Sequence, residues 1–158
     1  MHIRDFIIKI ISTFFYIGYL PLMPGTFASA AALFLFYLVK DNFLIYVALT
    51  VLALIAGFLV SGKAERLIGE KDARCIVIDE VAGQLLALLS LLFFRYDALY
   101  LWIGFFLFRL LDTLKPYPAG RIQHLHGSLG IMGDDIIAAF YTNIILQAAL
   151  RFASCRIS

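Results

Sequence analysis

Charge-free stretches recur along this chain, and the polar residues between them gather into a few short blocks. From Ile10 to Val39 thirty residues carry no charge, and from Phe43 to Gly62 another twenty. Further apolar stretches run from about Ile76 to Phe94, from Ala98 to Leu111 and from Ile136 to Leu150. They are apolar on every face, so no 3.6-residue period can show. Helix follows instead from the bilayer, where each backbone amide and carbonyl must find its partner within the segment. A thirty-residue helix would overshoot the roughly 30 Å hydrocarbon core, and Pro21 and Pro24-Gly25 interrupt the first run. Proline lacks an amide donor and clashes with the turn before it, so a helix should end ahead of Pro21. Ile7–Leu20 is therefore expected as an interfacial or re-entrant half-helix, and Thr26–Val39 as the first span with Thr26 as its N-cap. The predicted fold is all-α: a polytopic membrane helical bundle of about five short spans plus that half-helix, one domain over 1–158. Lys63–Arg74 reads as a polar loop or short helix, Arg95-Tyr96-Asp97 as a tight turn, and residues 112–135 as a long polar loop.

Composition agrees with a membrane location. The chain is 63% hydrophobic and 15% charged, with a mean hydropathy of +0.92, whereas soluble domains are about 45–50% apolar and about 25% charged. A net charge of +2 and the lack of a basic stripe interleaved with aromatics exclude a nucleic-acid partner. Cys75 and Cys155 have no metal or redox spacing, and the expected topology puts them on opposite sides of the bilayer, so no disulfide is expected. Basic residues orient the spans. The side holding the N-terminus and the 63–78 and 112–135 loops has Arg4, Lys9, Lys63, Arg66, Lys71, Arg74, Lys115 and Arg121, eight against four on the other. The positive-inside bias makes the first side cytoplasmic. Were Ile7–Leu20 a full span, Arg4 and Lys9 would cross over and the count would be six against six, so the asymmetry favours a half-helix.

In this topology Asp79, Glu80, Asp112, Asp134 and Asp135 collect at the cytoplasmic ends of three helices, beside Pro24-Gly25-Thr26. Ionisable groups within spans are costly and usually face the bundle interior. Carboxylates converging there would repel one another unless a cation lay between them, and oxygen ligands in that number suit Mg²⁺ or Mn²⁺ better than zinc. The spacing is equally compatible with solvated caps, because acids are favoured in the first turn of a helix. Arg109 and Asp112 share a helix face three apart; Arg109 suits either bidentate phosphate binding or a snorkelling pair with Asp112. Lys115 before Pro116-Tyr117-Pro118 reads as a positioned cation or an interfacial anchor. Gly127, Gly130 and Gly133 would let backbone amides approach a phosphate, a weak signal taken alone. Asn143 and Gln84 suit either ligand support or interhelical hydrogen bonds, and His124 and His126 read as exposed. Cys75 lacks the following phosphate loop of a cysteine phosphatase.

Four blocks together resemble the phosphatidylglycerophosphatase A family of bacterial membrane lipid phosphatases, over nearly the whole chain. They are Gly18-Tyr19-Leu20-Pro21-Leu22-Met23-Pro24-Gly25-Thr26 with Ser29; Asp79-Glu80-Val81-Ala82-Gly83-Gln84; Phe108-Arg109-Leu110-Leu111-Asp112 with Lys115-Pro116-Tyr117-Pro118; and Gly130-Ile131-Met132-Gly133-Asp134-Asp135 with Asn143. Ser128 and Ala139 depart from the family pattern, in both cases by small residues where glycine is usual. The resemblance implies Mg²⁺-dependent hydrolysis of the terminal phosphomonoester of phosphatidylglycerophosphate, giving phosphatidylglycerol and phosphate at the cytoplasmic face of a bacterial inner membrane. A physical scheme from the residues matches it, with Asp79, Glu80, Asp134 and Asp135 expected as metal ligands, and Glu80, Asp112, Asp134 and Asp135 as catalytic carboxylates. Arg109, Lys115, Thr26 and Asn143 would be the phosphate contacts. The nucleophile is either water deprotonated with help from Asp112 or an Asp forming an acyl-phosphate. Two other classes fit the residues less well. A CDP-alcohol phosphotransferase lacks its Asp-Gly-x-x-Ala-Arg pattern here, and a small cation transporter would need a polar path through the outer half of the spans.

Overall fold

A computed structural model describes residues 3–94 and 98–157 of the chain. Among these residues the protein is helical, without strands. The helices are α1 (Ile3–Ser12), α2 (Pro24–Val39), α3 (Phe43–Ile68), α4 (Ile78–Leu88), α5 (Ala98–Leu114), α6 (Ala119–Ile122) and α7 (Ser128–Ile157), with 3-10 turns at Ile17–Tyr19 and Leu89–Phe93. The expected turn at Arg95-Tyr96-Asp97 lies outside the described residues.

Helix α4 is the axis. It packs against α2, α3, α5 and α7, and nine of its eleven residues are buried. The close crossings are made by small residues. A methyl on Gly83 would sit 2.7 Å from the Phe108 ring, and one on Gly104 would sit 2.7 Å from Leu88. Small residues at these crossings let the helix backbones approach closely. At the end of the bundle away from Asp79, Phe36, Tyr46, Leu88, Phe105, Leu146 and Leu150 form the apolar core. A second cluster of Ile8, Ala64, Ile76, Ile78 and Met132 ties α1 to α3, α4 and α7. Outward-facing side chains are just as greasy: Phe34, Leu44, Leu52, Leu59, Phe106, Ile144 and Phe152 are all well exposed. That belt is what a lipid-facing surface looks like.

Several expected boundaries move. The first helix ends at Ser12, not near Leu20, because Phe14, Phe15 and Tyr16 adopt left-handed backbone (φ 43°, 55° and 69°). The turn is held from outside, as the Ser12 carbonyl accepts from the Val77 amide at 2.9 Å. Thr26 is not an N-cap. The helix begins at Pro24, whose fixed φ and missing donor suit a first helical position, and the Thr26 amide bonds the Met23 carbonyl inside the first turn. Helix α3 runs on through the polar residues to Ile68, and α7 starts at Ser128 instead of Ile136. The stretch expected as a third span is a short buried helix followed by a 3-10 turn. By length and composition two helices, Phe43–Ile68 and the Ser128–Ala153 part of α7, suffice to cross a membrane, and Pro24–Val39 is a shorter apolar helix.

Candidate active site

The chain reverses between successive long helices, so the starts of α2, α4 and α7 meet the ends of α3 and α5 at one end of the bundle. Gly62 on α3 donates its amide to Ser128 Oγ on α7 at 3.0 Å. Gly25 on α2 lies so close to the Glu80 carboxylate that a methyl there would overlap it, and it would also come within 3.2 Å of Arg109 Nη2. A cavity of about 980 Å³ opens between these helix ends. Its walls include Asp79 and Glu80 from α4, Arg109, Asp112 and Thr113 from α5, Lys115, and Asp134 and Asp135 from α7. The rim is made by Gly18–Leu20, Pro21, Met23, Pro24 and Gly25 together with Glu70 and Asp72–Ile76.

The carboxylates converge as the sequence suggested. Asp79, Glu80 and Asp135 present oxygens within 4.8 Å of one another, and so do Asp112, Asp134 and Asp135, so that Asp135 belongs to both groups. Asp79, Asp134 and Asp135 are buried, only 6%, 4% and 3% exposed. Asp134 and Asp135 lie well inside α7, beyond its first turn, which removes the capping explanation for them; Asp79 and Glu80 do occupy the first turn of α4. Asp79 Oδ1, Glu80 Oε2, Asp134 Oδ1 and Asp135 Oδ2 are buried without a hydrogen-bond partner in the protein. The residues that bear these orphaned oxygens fall into the two groups that share Asp135, each offering hard-cation donors, so the residues present fit Mg²⁺.

Both expected phosphate-binding cations line the cavity, each already held by an acid. Arg109 Nη1 donates to Asp112 Oδ2 at 2.8 Å, and the Lys115 ammonium bonds Asp134. Each keeps donors to spare, since a guanidinium has five and an ammonium three. Lys115 ends α5 in left-handed conformation (φ 45°). Burial works to lower its pKa, but the hydrogen bond to Asp134 and the charges of Asp134, Asp112 and Asp135 outweigh it and hold the group above the ordinary lysine value. It is cationic near neutral pH.

Two expected phosphate contacts lie elsewhere. Asn143 is not on the cavity wall: its amide donates to the Leu86 and Ala87 carbonyls of α4 at 3.3 and 3.1 Å and accepts from Gln147 at 2.7 Å. It makes the interhelical bond weighed from the sequence. Thr26 also lies off the wall, which its neighbours Pro24 and Gly25 line. His124 and His126 are exposed, and both cysteines are free. Burial pushes the Cys75 thiol up, against a lowering backbone hydrogen bond, so it remains protonated near neutral pH. One turn beyond Gly25 and Glu80, Ser29 Oγ and both amide atoms of Gln84 are buried without a partner. Asp72, Arg74 and Thr113, which the sequence does not single out, also line the cavity. The charged run 63–74 resembles any solvated loop, and only the folding of 69–77 over the cavity distinguishes it.

Residues 10–150 match the family model for Phosphatidylglycerophosphatase A. The chain belongs to that family. Two members so named are similar to it, from Escherichia coli (34% identity, covering 82% of this chain and 75% of the relative) and Haemophilus influenzae (32%, covering 79% and 77%). A Bacteroides thetaiotaomicron protein provisionally named a phosphatidylinositol-3-phosphatase is 32% identical over 92% of this chain and 94% of its own length. No solved structure matches. The phosphatidylglycerophosphatase A match spans every helix that contributes to the cavity.

Proposed function

We propose that the chain is a membrane-embedded phosphomonoesterase that hydrolyses phosphatidylglycerophosphate to phosphatidylglycerol and phosphate, using Mg²⁺ held by Asp79, Glu80, Asp134 and Asp135. Family membership supplies the reaction class. The observation that carries the rest is the set of four orphaned carboxylate oxygens facing a cavity that also holds Arg109 and Lys115. When bound, Mg²⁺ would neutralise charge on the phosphoryl oxygens and on the acids around it. The protein's own part is positioning and electrostatics, as phosphoryl transfer demands. Arg109 and Lys115 line the cavity, and their spare donors would bind the phosphoryl oxygens. Asp112, which pairs with Arg109 and belongs to the Asp134–Asp135 group, is placed to take the proton from an attacking water; as the water oxygen bonds to phosphorus the P–O bond to the headgroup breaks, and that proton passes on to the headgroup oxygen, which leaves as an alcohol.

The same cavity would serve a phosphatidylinositol phosphate, and the Bacteroides relative's name makes that the second reading. Both lipids carry a phosphomonoester on a polyol that is joined through a phosphodiester to diacylglycerol. Phosphate release from each lipid by the detergent-purified protein, with Mg²⁺ or with EDTA, tests the proposal. We expect EDTA-sensitive release, faster from phosphatidylglycerophosphate. Asp135→Asn should cut turnover by about two orders of magnitude or more while the protein stays folded; near-normal turnover in the variant or in EDTA would refute the assignment.

In the membrane we place α2, α3, α4 with its 3-10 extension, α5 and α7 as five short transbilayer segments, α1 at the interface, and the cavity on the cytoplasmic side of the bacterial inner membrane. The excess of basic residues at the cavity end supports this orientation. A single cysteine at His124, in a background lacking Cys75 and Cys155, should resist an impermeant maleimide added to intact spheroplasts, and one at Asp41 should react. The opposite labelling would invert the topology.

A further inference from the structure

A lipid of the proposed class brings two phosphates to the site, and the groups described so far account for one. The terminal monoester carries about two negative charges and belongs with the Arg109, Lys115 and carboxylate cluster. The phosphodiester stays fixed to diacylglycerol, so it has to lie where the cavity meets lipid. That edge is identifiable. Tyr19, Leu20 and Met23 line the cavity and are exposed apolar side chains, and the turn bearing them rests on the α3–α4 loop, where a methyl on Gly18 would lie 2.8 Å from the Cys75 carbonyl carbon. The residue next to that contact is Arg74.

Arg74 is the third cation on the cavity wall, beside Arg109 and Lys115. The other two are held by Asp112 and Asp134. Among the described residues Arg74 has no side-chain hydrogen bond or ion pair, and its side chain is exposed. Its neighbours on the rim, Glu70 and Asp72, are acids. Without Arg74 this rim would present only negative charge to an anionic headgroup. Resting on the lipid-phosphatase reading, we propose that Arg74 is a specificity-determining residue that binds the phosphodiester, so that the enzyme recognises phospholipids carrying a diester and a monoester separated by a polyol.

The test uses the full chain in detergent micelles with Mg²⁺ and phosphatidylglycerophosphate as substrate. Two inhibitors each report half of that substrate: phosphatidylglycerol has the diester alone, and inorganic phosphate resembles the monoester alone. Arg74→Gln is expected to raise KM about tenfold with kcat changed by less than about twofold. The inhibition constant for phosphatidylglycerol should rise by the same factor and that for inorganic phosphate should not move. Arg74→Lys should recover most of the loss. An unchanged KM, a parallel weakening of both inhibitors, or a fall confined to kcat would each overturn the assignment. If the unaltered protein releases no phosphate from either phospholipid monoester, the lipid-phosphatase reading fails and this inference with it. An active parent with an indistinguishable Arg74→Gln variant removes Arg74 alone.

Discussion

Gly25 shows how little slack the site has. It packs directly against the Glu80 carboxylate and close to Arg109, so the start of α2 serves as a wall from which two functional groups are measured. Gly25→Ala should therefore act on geometry. Shifting Glu80 or Arg109 by about an ångström can cost about a hundredfold in turnover, so a loss of that order is expected, with the thermal midpoint nearly unchanged. A collapsed midpoint would instead make Gly25 a folding residue. The acids around it were legible in the sequence because ionised groups are rare in so apolar a chain. Arg74 and Asp72 were not, since a charged loop carries no mark of the cavity it covers.

Among the helices, those with clear starts or stops matched the sequence best. The end of α2 at Val39, the start of α3 at Phe43 and the start of α5 at Ala98 fall where charge or turn residues interrupt the apolar runs. Boundaries at the cavity end were misplaced because a helix needs no apolar side chains to continue. Its backbone is satisfied internally, and residues 63–68 and 128–135 keep helical form although they carry polar groups, of which Asp134 and Asp135 line the site. Hydropathy was also blind to the difference between lipid-facing and protein-facing surface, so nothing in the apolar run marked α4 as the buried axis, or showed that its α-helix gives way to a 3-10 turn after Leu88. Asn143 belongs to this scale. It bonds α7 to α4, and interhelical bonds of this kind in membrane proteins average about 0.6 kcal/mol. Asn143→Ala should lower stability by about that amount in a reversible unfolding assay and keep near-parental turnover. A selective rise in KM without loss of stability would return Asn143 to the substrate.

For the molecule as a whole, the cavity is assembled from helix ends that are distant in sequence, so its shape depends on what locks the loops between them. Glu65, near the end of α3, does much of this. Its Oε1 accepts from the Asp72 amide at 3.3 Å and its Oε2 from the Gly127 amide at 3.1 Å. Lys71 adds a bond to the His124 carbonyl at 3.2 Å. A single carboxylate thus rivets the rim that carries Arg74 to the turn from which α7 sets out toward Asp134 and Asp135. The two loops should breathe as one body: in Glu65→Ala, amide hydrogen exchange should quicken together at 70–75 and 124–128, while the deeper part of α4 keeps its protection. Quickening in one loop alone would show that they move separately. If they do move in concert, the proposed grip on the headgroup and the spacing of the acids proposed to hold Mg²⁺ rise and fall together, and a loose hold on the lipid would carry its own penalty in chemistry.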